Sequence, residues 1–127
     1  MVPMDPAAKH ILVVEDEKSL AKALMLKLTT VGFSVKVAYD GQEAVGLLAS
    51  ESFDLVLLDL IMPRMDGFAV LEWMRREDKH PKVMVLTNLG QEEDIAKIKS
   101  MGVNDYFVKA NISLSDLVER IKVDLAS

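Results

Sequence analysis

Five short apolar runs, separated by longer amphipathic stretches, constrain the fold of this chain more than any other feature. The runs are rich in β-branched and aromatic residues and too short for buried helices, so they predict β-strands. They are His10–Val14, Val35–Ala38, Leu55–Leu58, Val83–Leu86 and Tyr106–Val108. The first, third and fourth runs lack polar alternation, which is typical of strands covered on both faces. Lys36 interrupts the second run, which indicates a strand at an edge of the sheet.

The segments that follow these runs carry apolar residues at helical spacing. Four stripes are formed by Leu20, Leu24, Leu28 and Val31, by Ala44, Leu47 and Leu48, by Phe68, Leu71 and Met74, and by Leu114, Leu117, Val118, Ile121 and Leu125. A further helix is predicted over 91–101, because its first turn is acidic and Gly102 follows it. We expect Gly32 to end the first helix, and Asp66 and Ser113 to cap the third and the fifth. Five successive strand–helix units predict an α/β fold, a parallel sheet with helices on both faces.

The length, charge and cysteine content of the chain narrow the class of protein. With 127 residues, half of them hydrophobic, it fits one folded domain, which we predict over 9–127 behind a flexible N-terminal segment, 1–8. A formal net charge of −5 without any basic tract argues against binding of nucleic acid. No signal peptide is recognisable, and no segment approaches the ~20 apolar residues of a membrane span. Because the chain also lacks cysteine, we expect a soluble, cytoplasmic protein without disulfides, thiolate metal sites or membrane partners.

Polar side chains follow four of the five predicted strands. Glu15 and Asp16 end the first, Asp59 the third, Thr87 the fourth and Lys109 the fifth. Because the carboxyl ends of parallel strands share one edge of a sheet, we expect these side chains to converge there. Each alone would be an ordinary loop or capping residue. Three clustered carboxylates, however, raise one another's pKa and call for a cation, and an all-oxygen ligand set suits Mg²⁺.

The same group of side chains suits a transferable phosphoryl group. Lys109 would pair with a carboxylate in an inert site, but its compact ammonium also fits a phosphoryl oxygen. Thr87 adds a hydroxyl donor beside it. Asp59 can then act as a nucleophile that forms an acyl phosphate while the metal and the lysine absorb negative charge.

Four segments resemble the receiver domain of bacterial two-component response regulators, in order and in spacing. They read ILVVEDE, DLVLLDLIMPRMDG, VMVLTN and GVNDYFVKA. The resemblance covers essentially all of 9–125 and implies a flavodoxin-like fold, (βα)5, with sheet order 2-1-3-4-5. The resemblance also implies that the domain accepts a phosphoryl group and does not act as a turnover enzyme on an external substrate. The implied partners are a sensor histidine kinase or phosphotransfer protein, and an output domain or partner protein that the domain controls.

The resemblance also assigns roles at the metal site. Asp59 becomes the phosphoacceptor in a reaction that depends on Mg²⁺, with Mn²⁺ as a substitute. The metal ligands would be Asp16, Asp59 and the carbonyl of Ile61, with Glu15 acting through water.

Further implied roles concern the switch. Lys109 would contact the phosphoryl group, and Thr87 would move toward that group and let Tyr106 turn inward. This movement would reshape the face made by the fourth helix, the fifth strand and the fifth helix. That face could also form a homodimer, or its charges could simply be solvated. The charges in question belong to Lys97, Lys99, Asp105, Glu119, Arg120 and Lys122. For Tyr106 the alternative is a buried tyrosine without switching.

Three departures from the family pattern affect the site. Ala110 follows Lys109 where the family has proline, often after a cis bond. A cis bond before alanine costs ~2.5–4 kcal/mol, so either the loop is strained or the bond is trans. Asn88 is larger than the residue usual at its position and would narrow access to the acceptor. Ile61 and Leu89 are apolar beside the phosphoryl position, and we hypothesise that they hinder the hydrolytic water.

Two other classes of protein remain as alternatives. One is a binding module of the same fold that works through its helix faces without phosphorylation. The other is a Mg²⁺-dependent phosphatase or nuclease, which would need a further base or a substrate-binding insertion that the short predicted loops do not supply.

Overall fold

Strands and helices alternate through the chain as the apolar pattern predicts. The computed structural model describes residues 8–89, 91–103 and 105–126. The strands are β1 His10–Val14, β2 Ser34–Ala38, β3 Leu55–Leu58, β4 Lys82–Thr87 and β5 Asp105–Val108. The helices are α1 Lys18–Thr30, α2 Gly41–Ser50, α3 Gly67–Arg76, α4 Glu92–Ser100 and α5 Leu114–Leu125, with a 3₁₀ turn at Lys109–Asn111. The segment predicted to be flexible, 1–8, lies outside the described residues except for Ala8.

The strands form one parallel sheet in the order β2-β1-β3-β4-β5, which confirms the predicted flavodoxin-like order. The register brings the strand ends level, because Val14 at the end of β1 pairs with Ala38 of β2 and with Leu58 of β3. On the other side of β3, Leu58 pairs with Val85. The prediction that the second strand lies at an edge is also confirmed, and its Lys36 is exposed.

Each face of the sheet carries its own apolar core. Alternate residues of β1 and β3 point to opposite faces, so Leu12 and Val56 join the core under α2, α3 and α4, whereas Ile11 and Leu55 join the core under α1 and α5. All four of these side chains are fully buried. Burial of each such side chain contributes roughly 1.5–3 kcal/mol, so the two cores hold the central strands rigidly. A rigid pair of central strands is what places the residues that follow them.

Side-chain caps begin two of the helices where the sequence predicts them. Asp66 accepts the backbone N–H of Ala69 at the start of α3, at 2.9 Å. Ser113 accepts the N–H of Asp116 at the start of α5, at 3.1 Å. None of the helices in the described part of the chain is both long and apolar enough to cross a membrane.

Two helices end at glycines in the left-handed region, as predicted. Gly32 after α1 has φ 104° and Gly102 after α4 has φ 78°. The assignment of Val31 to the buried stripe of α1 is wrong. The helix ends at Thr30, so Val31 lies past its last turn, and it is 44% exposed.

Candidate functional site

Three carboxylates meet at the carboxyl edge of the sheet. Oxygen atoms of Glu15, Asp16 and Asp59 lie within 4.8 Å of one another. Glu15 and Asp59 are 2% and 5% exposed, whereas Asp16 faces solvent. The sheet ladder continues one residue past each strand, since the N–H of Asp59 donates to Val14 O at 3.0 Å and that of Glu15 to Ala38 O at 3.0 Å. The hydrogen bonds of the sheet therefore hold the two buried carboxylates in place.

Lys109 reaches this cluster from β5. Its Nζ lies 2.7 Å from Glu15 Oε1 and 3.0 Å from Asp59 Oδ2. The described residues contain no cis peptide bond, so the bond between Lys109 and Ala110 is trans. Alanine at the position after Lys109 therefore does not keep the ammonium from the Asp59 carboxylate.

The electrostatics of the cluster are those of a site short of positive charge. Burial raises the pKa of Glu15 from 4.5 to about 7, and the charge of Asp59 adds to the rise, against hydrogen bonds from Lys109 and from the N–H of Glu17. Burial alone would lower the pKa of Lys109, but its bonds to Glu15 and Asp59 outweigh that effect and raise it. One ammonium is thus shared by two buried carboxylates, and its single positive charge cannot neutralise both when they are ionised.

The donor set fits a hard divalent cation. Three carboxylates and one ammonium sum to a formal charge of −2 when all are ionised, and every donor is oxygen. Such a set favours Mg²⁺ over softer metals. Ile61 lies beside the cluster, where its N–H donates to Asp59 Oδ1 at 3.2 Å and its side chain is 55% exposed.

The turn after β3 passes very close to Asp59. Gly67 N–H donates to Leu60 O at 3.0 Å, which closes the segment between them. A Cβ at Gly67 would lie 2.7 Å from Leu60 Cα and would collide with the carbonyl oxygen of Asp59. The glycine of the DG pair is therefore required by the close approach of two backbones, as well as by the turn into α3.

Thr87 lies at this edge of the sheet, and Tyr106 lies two residues before the end of the neighbouring strand β5. Thr87 is fully buried at the end of β4, and its Oγ1 accepts the N–H of Leu89 at 3.3 Å. Tyr106 pairs in register with Val85 and packs partly buried against the core under α4. Within the described residues neither side chain bonds to Asp59 or to Lys109. The structure thus brings the three acids, Lys109 and the backbone N–H of Ile61 together, and in the described part of the chain it shows no hydrogen bond from this group to Thr87 or Tyr106.

A fourth acid at this edge was missed from the sequence. Asp40 follows β2 and is 3% exposed, and it receives the guanidinium of Arg64 from the turn after β3. The pKa of Asp40 is lowered, first by the N–H of Glu43 and then by Arg64. The motif Asp40–Glu43 after a strand has the spacing of a capping box and would have predicted the cap, but nothing local predicts the arginine.

Solved structures similar to this chain include receiver domains. The CheY-like receiver domain protein of Methanospirillum hungatei JF-1 superposes with a TM-score of 0.87 and 27% identity, covering 94% of this chain and 95% of that one. The receiver domain of a Francisella response regulator superposes with a TM-score of 0.83 and 30% identity, covering 91% of this chain and 94% of that one. The family model described as response regulator receiver domain matches residues 11–122. The chain therefore belongs to the receiver-domain family of two-component response regulators.

Among curated relatives, the regulatory protein VanRc of Enterococcus gallinarum is 36% identical over 118 residues, which are 93% of this chain and 50% of that protein. The probable transcriptional regulator ycf27 of Cyanophora paradoxa is 39% identical over 119 residues, 94% of this chain and 49% of that protein. The chain thus spans about half the length of the curated relatives it matches. Receiver domains of this family are generally not turnover enzymes.

Proposed function

We propose that this domain accepts a phosphoryl group on Asp59 from a sensor histidine kinase or phosphotransfer protein, in a reaction that depends on Mg²⁺. The observation that carries the proposal is the buried Asp59 carboxylate, with Glu15 and Asp16 within 4.8 Å and the Lys109 ammonium 3.0 Å from its Oδ2. A structural ion pair would need one acid, whereas this lysine serves two buried acids.

The chemistry assigned to the residues is a phosphoryl transfer between nitrogen and oxygen. A carboxylate oxygen of Asp59 attacks the phosphorus of a phosphohistidine, the P–N bond breaks, and its electron pair stays on the imidazole nitrogen. The product is an acyl phosphate on Asp59. Lys109 Nζ is within reach of a phosphoryl oxygen there, and the Ile61 N–H fixes the orientation of the carboxylate. Thr87 adds a hydroxyl at the adjoining strand end.

The metal-binding role falls to the acids. Asp16, Asp59 and the carbonyl of Ile61 would hold Mg²⁺, or Mn²⁺ in its place, and Glu15 would act through water. When bound, the ion neutralises phosphoryl oxygens during transfer. Because Asp16 is exposed, a phosphohistidine of the partner protein could approach the site from its side, whereas Glu15 is buried.

We further propose that the modification is transmitted through Thr87 and Tyr106 to the α4-β5-α5 face. Helix α4 is thinly attached, since Ile98 is its single fully buried residue. A cation–π contact between Lys97 and the Phe68 ring, 4.1 Å from the centroid, also ties it to α3. An element with so few buried contacts is suited to a change of position.

The proposed output is a partner protein or an output domain, because the relatives are a probable transcriptional regulator and a regulatory protein, each about twice this length. A homodimer through the same face would have to exchange existing pairs. Arg120 already contacts Asp105 at 2.9 Å and Asp124 at 3.3 Å within the chain. We therefore expect the unphosphorylated domain to be monomeric.

One assay tests the acceptor role. The domain is incubated with acetyl phosphate and MgCl₂, and its intact mass is measured. We expect one phosphoryl adduct on the wild type, none on Asp59→Asn and none in EDTA. Asp66→Asn is the matched control, because asparagine keeps the helix cap and the change is chemically the same. A wild type without adduct contradicts the proposal, and steady release of phosphate from generic phosphoesters would favour a phosphatase.

A further inference from the structure

We infer that the ion pair between Arg64 and Asp40 is a positioning device, which holds the turn after β3 in the conformation that binds the divalent cation. This inference rests on the proposed function of the same site. It concerns two residues that lie outside the acidic cluster, one on the turn between β3 and α3 and one at the start of α2.

Asp40 is built to receive the arginine. One of its carboxylate oxygens, Oδ1, caps α2 by accepting the N–H of Glu43 at 2.9 Å. The other, Oδ2, accepts from Arg64 Nε at 3.0 Å and Nη2 at 2.9 Å. Glu43 completes the cap, since its Oε1 accepts the N–H of Tyr39 at 3.1 Å. One oxygen of the buried carboxylate is therefore fixed by α2, and the other is bonded by the arginine of the turn.

The turn that Arg64 belongs to has an unusual backbone. Arg64 has φ 60° and Met65 has φ 144°, values that residues with side chains rarely adopt. Such conformations persist where surrounding contacts impose them. Two contacts do so here: the guanidinium on Asp40, and Met65 packed so closely on α2 that a Cβ at Gly41 would lie 2.7 Å from Met65 Cβ.

The same turn carries Ile61, whose carbonyl is one of the proposed ligands of the cation. It is closed by the bond from Gly67 N–H to Leu60 O at 3.0 Å. Within it, Ile61 donates its N–H to Asp59 Oδ1 at 3.2 Å, so one hydrogen bond links the backbone of the turn to the proposed acceptor carboxylate. Release of the turn at Arg64 would let this backbone relax, and the predicted carbonyl ligand would lose its position. The Arg64 side chain is 68% exposed, and within the described residues it forms no ion pair with any of the three acids.

The test is the affinity for Mg²⁺, measured by isothermal titration calorimetry with MgCl₂ on the unphosphorylated domain. Substitutions of groups that orient metal ligands typically weaken binding roughly 10–100-fold. We expect a loss of about 10-fold in Arg64→Ala, a smaller loss in Arg64→Lys, and no change in Arg76→Ala, an exposed arginine at the end of α3. Asp40→Ser keeps an acceptor for the cap, and combining it with Arg64→Ala should weaken binding no further.

Arg64→Gly separates positioning from mere stabilisation. Glycine adopts φ 60° without steric cost, so in EDTA this variant should unfold at a temperature no lower than Arg64→Ala. Its Mg²⁺ affinity should nevertheless be as weak or weaker, because the turn is freer. Affinities of Arg64→Ala and Arg64→Gly within twofold of the wild type would overturn this inference alone. A wild type that does not bind Mg²⁺ at all would overturn the proposed function, and this inference with it.

Discussion

Adding one methyl group at Gly67 should damage both stability and phosphorylation. A Cβ there would lie 2.7 Å from Leu60 Cα and 2.9 Å from Leu60 Cδ2, and would collide with the carbonyl oxygen of Asp59. The backbone atoms cannot rotate away, and both belong to the segment that leaves the central strand β3. Overpacking of this kind costs roughly 1–3 kcal/mol, so we expect Gly67→Ala to be less stable by about that amount.

The matched control is Gly46→Ala. Gly46 lies in the exposed part of α2, and a Cβ there meets nothing within 4 Å. Replacing glycine by alanine in a helix should stabilise the domain by roughly 0.5–1 kcal/mol. The same chemical change should therefore change the free energy of unfolding in opposite directions at the two sites, with a difference of roughly 1.5–4 kcal/mol.

The measurement is urea-induced unfolding at constant pH in EDTA, followed by circular dichroism. Phosphorylation by acetyl phosphate is then measured on the folded variants, and we expect Gly67→Ala to be slower because its clash displaces the backbone of Asp59. A Gly67→Ala variant as stable as Gly46→Ala would refute the close-approach explanation. If Gly67→Ala is destabilised but is phosphorylated at the wild-type rate, the predicted effect of the clash on the site is refuted.

Four further predictions concern single side chains. In EDTA, wild-type stability should fall as the pH rises from about 4.5 to about 7, because the raised pKa of Glu15 means that its proton is lost from the folded state later than from the unfolded one. Glu15→Gln should not show this decline, and at pH ~8 it should be more stable than the wild type by at most about 3 kcal/mol. If urea unfolding gives parallel pH profiles for the two proteins, this prediction is contradicted. In EDTA at high pH, Lys109→Ala should lower the free energy of unfolding by roughly 3 kcal/mol, because two buried carboxylates lose their ammonium. The loss should be smaller at low pH, and an equal loss at both pH values would contradict this prediction. Asp66→Ala should lower the free energy of unfolding by about 1 kcal/mol, whereas Asp66→Asn keeps the helix cap and should lose less. Equal losses in urea unfolding would exclude capping as the cause. Ile61→Asn should dephosphorylate faster than the wild type, since a polar side chain admits water near Asp59; unchanged decay of the phosphorylated protein would count against it.

The elements of this fold could be predicted because they depend on local patterns. Runs such as Leu55–Leu58 are buried on both faces whatever their neighbours are, and the stripe of α5 follows from its own period. Once strands and helices alternate, parallel pairing brings the strand ends to one edge. The candidate cluster of Glu15, Asp16, Asp59 and Lys109 followed from that topology together with the residue types.

Sequence alone thus determined which segments are strands and helices, their parallel arrangement and the acids that could meet at one edge. Only the tertiary structure decided how those residues meet. The backbone at Ala110 is trans, the Lys109 ammonium is shared by two acids, and the turn after β3 is tied to α2 by Arg64 and Asp40. The physical reason is range: hydrophobic period and capping act within a few residues, whereas an ion pair between residues twenty-four positions apart exists only once packing has brought its two backbones together.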